Sequence, residues 1–132
     1  MKNKTGVISH IELYVNDLEK SLSFWAWFLE SLGYVKYQKW DKGISFIKDD
    51  TYIVFVETEE KYKEFFYHRC HHGLNHLAFY ADKELIINTQ KKLSEEGYTI
   101  LYHDKYPNED YFALFFEDPD RMKVELVEYR AN

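Results

Sequence analysis

The chain is written twice, and that repeat constrains its fold more than any other feature. His10-Ile11-Glu12-Leu13-Tyr14 recurs in pattern as His76-Leu77-Ala78-Phe79-Tyr80, 66 residues on, in a chain of 132 residues. Gly33-Tyr34 recurs as Gly97-Tyr98 at a spacing of 64, and Glu57 has its counterpart in Glu125 at 68. A repeat of this length means one supersecondary unit used two times.

The unit reads as βαβββ. Val7 to Val15 is rich in β-branched and aromatic residues and predicts a strand. Asn16 as N-cap with Glu19 three residues later predicts a capping box. Leu18, Leu22, Trp25, Leu29 and Leu32 then form one helical face, which stops at Gly33. Tyr34–Trp40, Ile44–Lys48 and Tyr52–Glu57 read as strands separated by Asp41-Lys42-Gly43 and Asp49-Asp50 turns. The second half repeats the order. Leu74–Ala81 is a strand, and Asp82 caps a helix carrying Leu85, Ile86, Thr89 and Leu93 that stops at Gly97. Tyr98–His103, Tyr111–Glu117 and Met122–Glu128 follow as strands. A βαβββ unit covers one face of its sheet with its helix and leaves the other open. The expected architecture is therefore α+β, with two modules (about 7–58 and 74–129) forming a curved mixed-sheet cup with helices outside. With only 2 Pro and 5 Gly and no linker, a single domain over 1–132 is expected.

Side chains alternate faces along a strand. In the first strand Ile11, Leu13 and Val15 are the apolar set for the helix, which turns His10, Glu12 and Tyr14 to the cavity. In the fifth strand the same parity turns His76 inward. In the fourth strand Val54 and Val56 are expected toward the helix, leaving Ile53, Phe55 and Glu57 inward. In the last strand Val124 and Leu126 go to the helix and Glu125 faces inward. Two imidazoles and two carboxylates then share the cavity, a donor set suited to Zn, Ni, Mn, Fe or Co. His10, Glu57, His76 and Glu125 are the expected metal ligands, with Glu57 and Glu125 as candidate proton carriers. Glu57 has a second reading: beside Glu59 and Glu60 it belongs to a charged, solvated turn.

Composition excludes more than it selects. The net charge of −6 argues against nucleic-acid partners, whose phosphates select basic faces. No apolar run approaches the roughly 20 residues of a membrane span. Met1 to Gly6 is basic but lacks a signal peptide's apolar stretch. The single Cys70 fits a reducing compartment, so a cytoplasmic location is expected. An aromatic content of 19% is high enough to suggest a pocket or interface with apolar bodies and polar tips.

Three stretches carry a family likeness: Ser9-His10-Ile11-Glu12-Leu13, Gly73-Leu74-Asn75-His76-Leu77-Ala78-Phe79, and the run from Phe116-Glu117-Asp118-Pro119-Asp120 through Lys123-Val124-Glu125-Leu126. With the duplicated unit they resemble the vicinal oxygen chelate superfamily, which includes glyoxalase I, extradiol dioxygenases, fosfomycin-resistance enzymes and bleomycin-resistance proteins. The resemblance implies that His10, His76 and Glu125 are the recurrent ligands. It sets Glu57 where glyoxalase I has a fourth, carboxylate ligand and where the dioxygenases and fosfomycin enzymes have none. It also implies a homodimer. Arg121 departs from the pattern, standing where the family turn usually has glycine.

Two readings of function follow. One is a divalent-metal-dependent enzyme, of lyase or isomerase type, acting on a small oxygen-chelating substrate. Glu12, Phe55, Arg69 and Tyr111 are its candidate substrate-binding residues. The other is a metal-free, bleomycin-resistance-like drug-binding protein. Arg69 lies within His68-Arg69-Cys70-His71-His72, which reads either as a solvated connector or as cations at the pocket mouth.

Overall fold

In a computed structural model that describes residues 3–130, the chain divides into two compact units, Met1–Phe65 and Phe66–Asn132. Met1 and Lys2, where the signal-peptide expectation begins, lie outside the described residues. Unit 1 runs β1 (His10–Val15), α1 (Leu18–Ser31), β2 (Val35–Trp40), β3 (Gly43–Lys48) and β4 (Thr51–Glu57), followed by a 3-10 turn at Glu60–Tyr62. Unit 2 runs β5 (His76–Ala81), α2 (Lys83–Glu95), β6 (Ile100–Leu101), β7 (Ala113–Glu117) and β8 (Lys123–Glu128). The strand orders, β1-β4-β3-β2 and β5-β8-β7-β6, are the same order used twice. In each sheet the first strand pairs in parallel with the last and the rest is antiparallel.

In unit 1 the N-cap is Asp17, not Asn16: its carboxylate accepts the Lys20 N–H at 3.1 Å. Starting one residue later moves Glu19 out of capping-box position. Gly33 ends the helix at φ +95°, a conformation a Cβ disfavours. The buried stripe is Leu18, Ser21, Phe24, Trp25, Phe28 and Leu29, wider than the leucine-led face expected from spacing. Phe24 and Phe28 join Trp25 in an aromatic cluster with centroids 5.3–5.8 Å apart.

The β4 parity is the reverse of the expectation. The β1–β4 register pairs His10 with Tyr52, Leu13 with Phe55 and Val15 with Glu57. Tyr52 stacks on His10 at 4.5 Å and 10°, whereas Phe55 is fully buried 5.0 Å from Trp25 of α1. Ile53, Phe55 and Glu57 therefore face the helix. The strand carries apolar residues at both parities, so alternation could not choose between them. The larger side chains fill the space against Trp25 and so set the phase.

In unit 2, Asp82 caps α2 as expected, accepting the Leu85 N–H at 2.8 Å. Ile86, Thr89 and Leu93 are buried, and Gly97 closes the helix at φ +79°. Val124 and Leu126 are fully buried on the helix side, so the β8 alternation follows the sequence pattern. The β6 and β7 strands are shorter than expected. Tyr102 at φ +53° ends β6, and Asn108 folds the chain ahead of β7 by accepting the N–H groups of Asp110 (2.9 Å) and Tyr111 (2.8 Å). Arg121 occupies the left-handed region at φ +67°, so the turn keeps its glycine-like backbone without the glycine.

Candidate functional site

The polar face of unit 2 is built by the β5–β8 ladder, which pairs His76 with Lys123 and Ala78 with Glu125. His76 and Glu125 thus project from the same side of adjacent strands. His76 Nε2 lies 3.0 Å from Glu125 Oε1. Glu125 is 3% exposed, and a buried carboxylate needs partners for both oxygens. Its Oε2 accepts the Tyr111 hydroxyl. That hydrogen bond, with burial and the negative charge of Glu125, pushes the phenol up to about 12.

The other edge of the imidazole is also held: Nδ1 is 2.6 Å from Asn75 Oδ1. A proton on Nδ1, donated to Asn75, leaves a lone pair on Nε2 facing a carboxylate oxygen. Two acceptors 3.0 Å apart need a positive charge between them, either a proton or a metal ion. Bonds of about 2.1 Å meeting at right angles on one metal would separate their two donor atoms by about 3.0 Å. The donor types and their spacing fit two adjacent ligands of a divalent ion, each oriented through its outer atom by a neighbouring side chain. Around the pair stand Phe115, whose ring is 6.2 Å from that of His76, and Tyr102 and Tyr106, each 5.3 Å from Phe115. Lys123 sits beside His76, with Nζ 3.3 Å from the Tyr102 hydroxyl, and makes no ion pair among the described residues.

In unit 1, His10 is exposed on the sheet face shared with Glu12 and Tyr14. Ser9 Oγ lies 3.1 Å from His10 Nδ1. The residue preceding each repeated histidine therefore meets its Nδ1 through a side-chain oxygen. Sequence reasoning missed Ser9 and Asn75, although their equivalent positions in the repeat were a readable signal. It also missed Lys123 and Asn108.

Glu57 is corrected. Its carboxylate accepts the backbone N–H of Leu18 at 3.0 Å and pairs with Lys42 (3.3 Å) and Lys63 (3.4 Å). It caps α1 from the side of β4 opposite His10. The Leu18 hydrogen bond, helped by the two lysines, holds its pKa below the ordinary range. The expected cavity-facing position of Glu57 therefore does not hold: it lies on the helix face of its sheet. Phe55 is corrected too, since it is core rather than pocket wall. Arg69 is engaged within unit 2 by Glu117 Oε2 (2.6 Å) and the Arg121 carbonyl (3.3 Å), so it is not the free cation expected. Within either unit, no three His, Cys, Asp or Glu side chains among the described residues gather to hold a metal.

A βαβββ unit used twice, with helices on one face of each mixed sheet, is a glyoxalase-like α+β fold. The chain belongs to the glyoxalase/bleomycin resistance protein/dioxygenase superfamily, whose profile matches residues 7–126. The resemblance read from its motifs is thus borne out. Its relatives include the uncharacterised protein YqjT of Bacillus subtilis, 53% identical over 122 residues, 89% of this chain and 95% of that one. A solved structure of a glyoxalase candidate from Bacillus halodurans has 43% identity and a TM-score of 0.92, over 96% of this chain and 98% of its own. The metallothiol transferase FosB of Bacillus licheniformis is 28% identical over 124 residues, 94% of this chain and 76% of its own. Among the described residues no helix is long and apolar enough to cross a membrane.

Proposed function

We propose that this protein is a divalent-metal-dependent enzyme that adds a thiol to an electrophilic carbon of a small, oxygen-bearing substrate. The observation that carries the metal is the His76 Nε2–Glu125 Oε1 pair at 3.0 Å, with both outer atoms already engaged. His10, its Nδ1 met by Ser9, is the further ligand in this reading, supplied by the same chain or by a second copy. The position of Glu57 on the helix side supports a three-ligand site over the four-ligand arrangement that the glyoxalase I likeness implies. Thiol addition is the reaction this reading favours over a lyase or isomerase reaction, in keeping with the name of the FosB relative.

A bound divalent ion supplies Lewis-acid stabilisation of the negative charge that develops on a substrate oxygen. The chain's own residues do the rest. Lys123, beside His76 and without a carboxylate partner among the described residues, holds an anionic group of the substrate, the role first sought in Arg69. Phe115, Tyr102 and Tyr106 set an aromatic wall beside the pair for the body of the substrate. In the reaction the thiol gives up its proton and its sulfur bonds to carbon. The carbon–oxygen bond of, for example, an epoxide breaks, and the released alkoxide takes up a proton.

A Mn(II) titration followed by electron paramagnetic resonance tests this. Wild type should take up one equivalent, His76→Ala and His10→Ala should lose it, and a thiol with an epoxide should give adduct only in the loaded protein. Failure of wild type to bind Mn(II), Zn(II) or Ni(II), together with tight binding of bleomycin-like drugs, would establish the metal-free binder instead.

A further inference from the structure

We propose that Tyr111 is a positioning residue that keeps Glu125 a one-oxygen ligand, and that the stretch 102–112 is folded to deliver it; this rests on the metal reading above. Glu125 is buried, and its two oxygens are divided between partners, Oε1 toward His76 and Oε2 toward the Tyr111 hydroxyl. An unheld carboxylate can offer both oxygens to one ion and fill two coordination positions. A carboxylate whose second oxygen accepts a phenol hydrogen offers one, and a position stays open for substrate oxygen.

The backbone around Tyr111 is fixed independently of that contact. Asn108 Oδ1 accepts the N–H groups of Asp110 and Tyr111, and the Asn108 N–H returns a bond to the Tyr111 carbonyl at 3.3 Å. Asn108 Nδ2 ties the turn to the Lys105 carbonyl at 3.2 Å. From the other side Arg130, anchored on Glu128 at 2.9 Å, donates to the carbonyls of Glu109 (2.7 Å) and Asp110 (3.4 Å). The Tyr106 ring meets the Tyr111 ring edge-on at 5.7 Å. The common result of these ties is one placement of the Tyr111 hydroxyl.

The test is Mn(II) binding and its resonance spectrum in wild type, Tyr111→Phe, Asn108→Ala and His76→Ala. Tyr111→Phe should weaken Mn(II) on the order of tenfold and change the spectrum; because Glu125 Oε2 then lacks its partner, the metal-free protein should also melt somewhat lower while staying folded at the temperature of the titration. Asn108→Ala, which touches only backbone near Tyr111, should move both readouts in the same direction and decides the matter if Tyr111→Phe folds poorly. Wild-type affinity and spectrum in Tyr111→Phe, with loss of the ion in His76→Ala, would overturn the role of Tyr111 alone. Unchanged uptake in His76→Ala would overturn the metal site and this proposal with it.

Discussion

Replacing Glu57 separates a structural carboxylate from a metal ligand. Its Oε1 accepts the Leu18 N–H at 3.0 Å, one of the donors that the first turn of α1 cannot satisfy internally. A hydrogen bond to a charged group near a helix N-terminus is worth about 1.5–3 kcal/mol when partly buried. The two lysines are screened by solvent and add less. Glu57→Ala should therefore cost about 2 kcal/mol, a drop in melting temperature of roughly 6–10 °C for a chain of this size. Glu57→Gln keeps an acceptor but loses the charge and should cost about 1 kcal/mol. Because folding lowers the pKa of Glu57, its contribution is complete above the ordinary value of 4.5 and is lost as pH falls through the depressed folded value. The gap between wild type and Glu57→Gln in urea unfolding should thus be widest near neutral pH and should close in acid. Metal uptake should be the same in all three proteins. Loss of the bound ion with an unchanged urea midpoint would refute the reasoning and restore Glu57 to the ligand set.

Arg121→Gly should stabilise the protein by about 0.5–1 kcal/mol, since removing the Cβ from a residue that stays in the left-handed region relieves roughly 1–2 kcal/mol and glycine's freedom when unfolded returns part of it; a lower thermal midpoint would show that the Arg121 side chain matters more than its backbone. Phe55→Ala should cost about 3–5 kcal/mol in chemical denaturation, as expected for an aromatic buried against Trp25 rather than lining a pocket; a near-neutral effect would contradict the β4 phase. Asp17→Ala should cost about 1 kcal/mol through the lost Lys20 bond, measurable by the same denaturation.

The repeat, the two βαβββ units and the face of the β5 and β8 residues were legible because strict alternation and helix-stop glycines leave few alternatives. His76 and Glu125 could be paired from Leu77, Val124 and Leu126 alone, whose apolar character fixes the opposite face. β4 was not legible, because Ile53, Val54, Phe55 and Val56 are apolar at both parities. Only packing volume against Trp25 breaks that tie, and volume is a tertiary property. The N-cap slipped from Asn16 to Asp17 because either side chain can cap and sequence offers no measure of backbone angle. Arg69 looked free because its partner Glu117 lies 48 residues away, beyond any local pattern.

The two halves treat the same hairpin differently. In unit 1, β2 and β3 are full-length strands joined by a tight turn, whereas in unit 2 β6 keeps only Ile100–Leu101 and the stretch 102–112 runs from it to β7. Duplication leaves a spare copy of every connection, and one copy can keep the sheet in register while the other drifts. Changes of length or sequence in 102–112 alter what stands over Glu125 without disturbing the parallel β5–β8 ladder beneath it. Relatives that differ in chemistry are expected to diverge there first, and the corresponding turn of the first half to stay short.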